Sequence, residues 1–155
     1  MAEKILVVDD EDIIRESLSY ILTKEKYEVT EAANGKVAFD MLKETSFDLV
    51  ITDLEMPEMK GIELLDEIKK MNLQTSTIVI TAYGSMETAI AALRGGASDY
   101  ILKPVEFDEL LIKVKNYLRC AICILKTEFS GKNYSVNMIT QILSGRVRLY
   151  SRFLK

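Results

Sequence analysis

Four apolar segments of the chain each end at a polar residue suited to phosphate or metal chemistry. They run into the Asp9-Asp10 pair, Asp53, Thr81 and Lys103. If these segments are strands of one parallel sheet, their carboxyl ends meet at the edge where open α/β sheets bind ligands. The sequence therefore predicts three carboxylates, a hydroxyl and an ammonium at one site.

Such a site favours a bound cation and phosphoryl transfer. Neighbouring carboxylates raise one another's pKa unless a cation offsets their charge, and Mg²⁺ suits oxygen ligands of this kind. A carboxylate can attack phosphorus to form an aspartyl-phosphate, while a metal and a lysine stabilise the charge on the phosphoryl oxygens. We predict Asp53 as the acceptor, because it follows the central strand and both cations can approach it from opposite sides. Lys103 would pair with a carboxylate at rest and with the phosphoryl group after transfer, and Thr81 can donate a hydrogen bond to that group.

Each of these residues also has a structural explanation when it is taken alone. An Asp-Asp pair after a strand commonly caps a helix or forms a turn, and Lys103 suits a solvated surface. Thr81 suits a helix entry, and the Met56-Pro57 pair after Asp53 marks a loop. The functional interpretation rests on all four positions occurring in order, each at the carboxyl end of its strand.

Hydrophobic periodicity predicts five strands that alternate with five helices. The predicted strands are Lys4–Val8, Tyr27–Ala32, Leu49–Thr52, Thr77–Ile80 and Tyr100–Leu102. The predicted helices are Asp12–Lys24, one after the Asn34-Gly35 turn, Gly61–Met71, Met86–Leu93 and one from Phe107 onward. Successive βα units imply a parallel sheet covered on both faces, and right-handed crossovers favour the strand order 2-1-3-4-5. The predicted fold class is α/β, a flavodoxin-like (βα)5 three-layer sandwich with a C-terminal helical extension.

Composition narrows the class of protein. The chain has 155 residues, 48% of them hydrophobic, which is enough for a sizeable core without disulfides. It has no apolar run of membrane-spanning length, and its start has no signal-peptide layout, so we expect a cytoplasmic protein without a membrane span. It contains no histidine. Any phosphohistidine in its pathway must therefore belong to a partner.

Charge predicts two parts, residues 1–119 and a basic extension over residues 120–155. The first part carries 14 Lys and Arg against 23 Asp and Glu, and the second carries 6 against 1. The acidic part argues against direct binding of nucleic acid. In the extension, a Cys-X-X-Cys pair at Cys120 and Cys123 is interpreted as structural, and Met138–Lys155 suits a short amphipathic helix.

Apolar residues recur at heptad spacing along the last predicted helix. They are Phe107, Leu111, Val114, Leu118, Ala121 and Leu125. Two interpretations stay open, a dimerising coil that runs past the domain and ordinary packing against the sheet.

Together the four motifs resemble a known family. VVDDE, ITDLEMPEMKG, VITAYGS and DYILKP are similar to the signature segments of the response regulator receiver domain of two-component signalling. The resemblance covers residues 3 to about 119. The stretch that begins SMETAIAALRGG is most similar to receivers of nitrogen-regulation-type transcriptional activators.

The resemblance implies roles for the acidic residues. Asp53 would be the phosphoacceptor, Asp10 a direct Mg²⁺ ligand and Asp9 a ligand that acts mainly through water. Asp53 and the backbone carbonyl of Glu55 would complete the coordination by the protein.

It also implies a switch and residues that tune phosphate lifetime. Thr81 and Tyr100 would be the switch pair, and Lys103 the phosphate partner, joined to Pro104 by a cis peptide bond. Glu55 and Tyr83 would tune the lifetime of the phosphoryl group, with the Tyr83 ring shielding it from water.

The function expected from this resemblance is a phosphorelay response regulator rather than an enzyme. It would take phosphate from a sensor histidine kinase and change the surface formed by the fourth helix, fifth strand and fifth helix, which is also the expected homodimer contact. Two alternatives stay open. One is a haloacid-dehalogenase-type phosphatase, which normally has a second Asp where Glu55 stands, and the other is a flavodoxin-like binding module, which would need a phosphate loop after the first strand.

Overall fold

The computed structural model describes residues 2–71, 73–82 and 86–129, with side chains as far as Arg119. Five strands alternate with five helices, as predicted. The strands are β1 Lys4–Val8, β2 Glu28–Ala32, β3 Leu49–Asp53, β4 Ser76–Thr81 and β5 Asp99–Leu102. The helices are α1 Asp12–Lys24, α2 Gly35–Glu44, α3 Gly61–Lys70, α4 Met86–Arg94 and α5 Phe107–Phe129. All strand pairs are parallel and their order is β2-β1-β3-β4-β5, which confirms the predicted topology.

Alternate residues of the buried strands face opposite layers of helices, because successive strand side chains point to opposite sides of a sheet. Ile5, Val7 and Ile51 lie in a cluster with residues of α1 and α5. Leu6 and Val50 lie in a second cluster with residues of α2 and α3. A third cluster joins Val79 to α3 and α4. The sheet is therefore the middle layer of a three-layer sandwich.

The strands differ from the prediction at their ends. Asp53 and Thr81 were predicted to follow their strands, but each is the last residue of its strand, because the ladder pairs Asp53 with Ile80 and Thr81 with Leu102. Conversely, Tyr27 precedes β2, since its amide donates to the carbonyl of Leu22 at the end of α1 (3.2 Å). Hydrophobicity alone does not show which polar residues join a hydrogen-bond ladder.

The heptad stripe on α5 belongs to the domain's own core in its first half. Val114 and Leu118 are buried against the sheet, and Leu111 packs against the same cluster. These three residues are thus not available as the seam of a dimerising coil. α5 continues to Phe129, past the predicted boundary at residue 119. The side chains of Cys120 and Cys123 and the predicted helix Met138–Lys155 lie outside the described residues.

No helix in the described part of the chain combines the length and the apolar character that crossing a membrane requires.

Candidate functional site

The sheet brings the predicted functional residues to one edge. Val8 pairs with Thr52 of the neighbouring strand, so Asp9 follows β1 beside Asp53. On the other side, the ladder between β4 and β5 carries Thr81 to the same level, and the amide of Lys103 donates to the carbonyl of Thr81 (2.9 Å). The strands β1, β3, β4 and β5 are neighbours in the sheet. Their carboxyl ends therefore present these side chains together, as the sequence predicted.

The ammonium of Lys103 lies at the centre of the acidic groups. Its Nζ is 2.7 Å from Oδ2 of Asp53, 3.0 Å from Oε1 of Glu11 and 3.6 Å from Oδ2 of Asp9. Glu11 was not predicted as part of the site, although it directly follows the Asp9-Asp10 pair. Lys103 thus offsets the negative charge of three carboxylates.

Three carboxylates are close enough to share a metal ion. Oxygens of Asp9, Asp10 and Asp53 all lie within 4.8 Å of one another. One oxygen of Asp9, Oδ2, is buried and has no hydrogen-bond partner, while Oδ1 accepts from the amide of Glu11 (2.8 Å). Nζ of Lys103 is 3.6 Å from Oδ2, too far for a hydrogen bond, so this oxygen still lacks a close donor or ligand. Three carboxylates so close together, one of them with such an oxygen, fit a hard divalent cation.

The environment shifts the pKa of two site residues. Burial is the largest influence on Asp9 and raises the pKa of its carboxyl, and the charges of Asp53 and Asp10 act in the same direction. Burial by itself lowers the pKa of Lys103, but hydrogen bonds to Asp53 and Glu11 outweigh it and raise that pKa above its usual value. Lys103 therefore stays charged, whereas burial makes the ionised form of Asp9 less stable than it is in water.

We expect Asp9→Asn to stabilise the fold in the presence of EDTA. A carboxyl whose folded-state pKa is raised favours folding when it is protonated, and this contribution is lost as the pH rises through that pKa. Thermal unfolding at pH 7 should show a Tm a few degrees higher for Asp9→Asn, at about 4 °C per kcal/mol. The Tm of the wild type should fall more than that of the variant between pH 4 and pH 7. Asp66→Asn removes an exposed charge on α3 and should change neither value; a lower Tm for Asp9→Asn would contradict the expectation.

Asp53 is held on both sides of its carboxylate. Oδ1 accepts from the amide of Glu55 (3.1 Å) and Oδ2 from Lys103, and the residue is only 6% exposed. The backbone behind it is packed against Gly61, where a Cβ would lie 2.2 Å from the carbonyl oxygen of Asp53. Only glycine can bring the start of α3 so close to this strand.

The residues expected to form the switch lie on β4 and β5. Thr81 is buried at the carboxyl end of β4. Tyr100 is partly buried and packs against the cluster that contains Val79 and Ala97, with Nζ of Lys113 5.7 Å from its ring centroid. In the β4-β5 ladder Tyr100 pairs with Val79, two residues before Thr81.

Two further residues complete the predicted set. The Lys103-Pro104 peptide bond is cis, as the resemblance implied. Glu55 is exposed and its carboxylate lies 3.7 Å from Nζ of Lys60. Tyr83 lies outside the described residues.

The family model named response regulator receiver domain matches residues 5–115. Among curated proteins, the chain is 41% identical over 116 residues to regulatory protein AtoC of Escherichia coli (strain K12), a match that covers 75% of this chain and 25% of AtoC. It is 42% identical over 117 residues to response regulator protein PilR of Pseudomonas aeruginosa, covering 76% of this chain and 26% of PilR. The chain thus spans about a quarter of the length of these two relatives.

Solved structures show the same fold. A response regulator receiver domain protein from Clostridium thermocellum superposes with a TM-score of 0.73 at 34% identity, covering 79% of this chain and 98% of that one. Response regulator protein TrrA from Thermotoga maritima, solved in complex with Mg²⁺-BeF, superposes with a TM-score of 0.68 at 40% identity, covering 74% and 98%.

Proposed function

Because the chain belongs to the response regulator receiver domain family, we propose that Asp53 accepts a phosphoryl group in a Mg²⁺-dependent reaction that switches a protein-interaction surface. The curated relatives AtoC and PilR agree with the nitrogen-regulation-type resemblance of the sequence. The observation that carries the proposal is the contact of 2.7 Å between Lys103 and Asp53, inside a group of three carboxylates whose oxygens approach within 4.8 Å. The phosphatase and flavodoxin-like alternatives are not favoured, since the matching family is the receiver domain.

Phosphoryl transfer needs a nucleophile and groups that stabilise charge on the phosphoryl oxygens. A carboxylate oxygen of Asp53 attacks phosphorus and forms the new O–P bond as the bond from phosphorus to the donor breaks. Lys103 and the hydroxyl of Thr81 then bind oxygens of the transferred group. Lys103 must exchange its contact with Asp53 for one with the phosphoryl group, and its contacts with Glu11 and Asp9 keep the ammonium close during that exchange.

The acidic residues would hold the metal. We assign Asp10 as a direct ligand and Asp9 as a ligand through water, with the carboxylate of Asp53 and the carbonyl of Glu55 completing the set. When bound, Mg²⁺ supplies positive charge that offsets the carboxylates and the incoming phosphoryl oxygens. Oδ2 of Asp9 is buried and accepts no hydrogen bond, which supports this assignment.

The phosphoryl donor would be a phosphohistidine of a sensor histidine kinase. These 155 residues contain no histidine, so the phosphohistidine lies outside them. Two-component receivers accept phosphate from sensor kinases, which supports this partner. The proposal includes a cytoplasmic location, where phosphoryl donors made from ATP are available.

Phosphorylation would change the surface formed by α4, β5 and α5. Movement of Thr81 toward the phosphoryl group frees space into which Tyr100 turns, and Tyr100 joins β5 to the helices beside it. Large apolar side chains are exposed on all three elements, which supports a protein contact there. They are Met86, Ile90, Leu93, Leu102, Phe107 and Ile112.

We expect this surface to support a homodimer that forms more readily in the phosphorylated state. Sedimentation velocity with beryllofluoride and Mg²⁺, which mimic the phosphoryl group, should show a larger dimer fraction than the untreated protein. Leu93→Glu should reduce that fraction, because it places a charge in the apolar contact. Ile13→Glu changes an exposed residue of α1 and serves as the control. A monomer with and without the mimic would contradict the expectation.

A phosphorylation assay tests the proposed function. The purified protein is incubated with acetyl phosphate, with Mg²⁺ or with EDTA, and analysed by intact-mass spectrometry. We expect one phosphoryl group per chain with Mg²⁺ and none with EDTA, removable by hydroxylamine as an acyl phosphate should be. Reduction with borohydride followed by peptide mapping should place the group at Asp53. Modification elsewhere, or modification independent of Mg²⁺, would contradict the proposal.

A further inference from the structure

A guanidinium group lies behind the acidic loop and is not part of the site described above. Arg15, on the first turns of α1, is only 13% exposed. Its Nη1 donates to the backbone carbonyl of Asp9 (2.7 Å), its Nη2 to Oδ1 of Asp12 (2.5 Å) and its Nε to Oε2 of Glu31 on β2 (3.3 Å). Arg15 thus connects the loop after β1 to the helix that follows it and to the edge strand.

The carbonyl that Arg15 binds belongs to the peptide group between Asp9 and Asp10. A displacement of this peptide group moves the Cα atoms of both residues and so shifts both carboxylates. The amide at the other side of Asp9 is already held, since it donates to the carbonyl of Ala32 on β2 (3.2 Å). Of the contacts described here, only that with Arg15 holds the carbonyl. A charge-assisted hydrogen bond from a planar, largely buried guanidinium strongly restrains the position and orientation of the carbonyl that accepts it.

We propose that Arg15, anchored by Glu31, is a positioning residue that orients the Asp9-Asp10 peptide so that both carboxylates face the metal site. This inference rests on the proposed function, since it assigns Arg15 to the same Mg²⁺ site. Arg15 does not touch the metal ligand oxygens. Its effect passes through the backbone, in the way that groups outside a coordination sphere orient the ligands inside it.

Magnesium binding by Arg15→Gln and Glu31→Gln tests the proposal. Amide chemical shifts are followed by NMR during a titration with MgCl₂, and the initial rate of phosphorylation by acetyl phosphate is measured over the same concentrations. We expect the Kd for Mg²⁺ to rise about 10-fold in Arg15→Gln, which is the lower end of the range seen when groups outside a coordination sphere are removed. The rise in Glu31→Gln should be smaller. The rate at saturating Mg²⁺ should stay near that of the wild type. Arg15→Lys should recover part of the affinity, because it restores one charged donor but not the three contacts.

Two controls separate positioning from a general loss of structure. Lys36→Gln removes an exposed cation of an ion pair on α2 and should leave the Kd unchanged. Glu31→Gln changes the anchor without touching the loop, so it tests the proposal even if Arg15→Gln does not fold. An unchanged Kd in both Arg15→Gln and Glu31→Gln, or an equal rise in Lys36→Gln, would overturn the inference. If the wild type itself binds no Mg²⁺, the proposed function fails rather than the role of Arg15 alone.

Discussion

An Asp53→Asn protein is expected to take up no phosphoryl group at this site from acetyl phosphate and Mg²⁺. The amide has nearly the shape of the carboxylate but only one accepting oxygen, so it keeps one of the two hydrogen bonds that Asp53 accepts, from the amide of Glu55 or from Lys103. It has no anionic oxygen to attack phosphorus, however, and loss of the nucleophile removes the reaction rather than slowing a later step. We expect a decrease of at least about 100-fold in the initial rate, measured by intact mass.

The comparison with other acidic residues makes this result specific. Asp66→Asn, on the exposed side of α3, should be phosphorylated at the wild-type rate. Circular dichroism should show that Asp53→Asn is folded, so that the loss of phosphorylation is not a loss of structure. Phosphorylation of Asp53→Asn at this site to the wild-type level would show that another residue is the acceptor.

We expect Lys103→Met to lower both the rate of phosphorylation and the free energy of unfolding, and to raise the affinity for Mg²⁺. The methionine side chain keeps an apolar stem of similar length but removes the ammonium from three carboxylates. The rate of phosphorylation should fall about 100-fold, the usual effect of losing one group that stabilises charge in the transition state. The free energy of unfolding without metal should fall by about 3 kcal/mol, since largely buried carboxylates lose their partner. The affinity for Mg²⁺ should rise, because a cation that lies 3.6 Å from Oδ2 of Asp9 no longer repels the ion.

The opposite signs of the last two effects distinguish this explanation from simple damage to the site. A misfolded site would lose both stability and metal affinity. Chemical denaturation with EDTA gives the free energy, and an NMR titration with MgCl₂ gives the affinity. Lys36→Met, on the exposed face of α2, should leave all three properties unchanged. If Lys103→Met bound Mg²⁺ more weakly than the wild type, the assignment of Lys103 as a competing cation would be wrong.

The fold was predictable because five short strand segments, most of them apolar, alternate with amphipathic helices. Five such segments and right-handed crossovers define the strand order, and the strand order brings Asp9, Asp53 and Lys103 together. The chemical role of each of these three residues could be inferred from its side-chain type. Predictions at this level depend only on hydrophobicity and on the chirality of the chain.

Contacts that depend on side-chain reach were not predictable in the same way. The contact of Glu11 with Lys103 joins residues 92 positions apart, and a glutamate after an Asp pair is equally suited to solvent. The contact of Arg15 with Glu31 requires that α1 and β2 be placed first. The heptad stripe on α5 could not be assigned to the core or to a dimer until Val114 and Leu118 were found buried against the sheet.

The close approach of Gly61 to Asp53 limits how this protein can be redesigned. Any library that varies the loop over residues 54–60 to alter phosphate lifetime must keep glycine at position 61, because a Cβ there would meet the carbonyl of Asp53 at 2.2 Å. Glu55, by contrast, is exposed and can be varied freely. A design that aims at a longer or shorter phosphate lifetime should therefore vary the solvent-facing residues of this loop and keep Gly61.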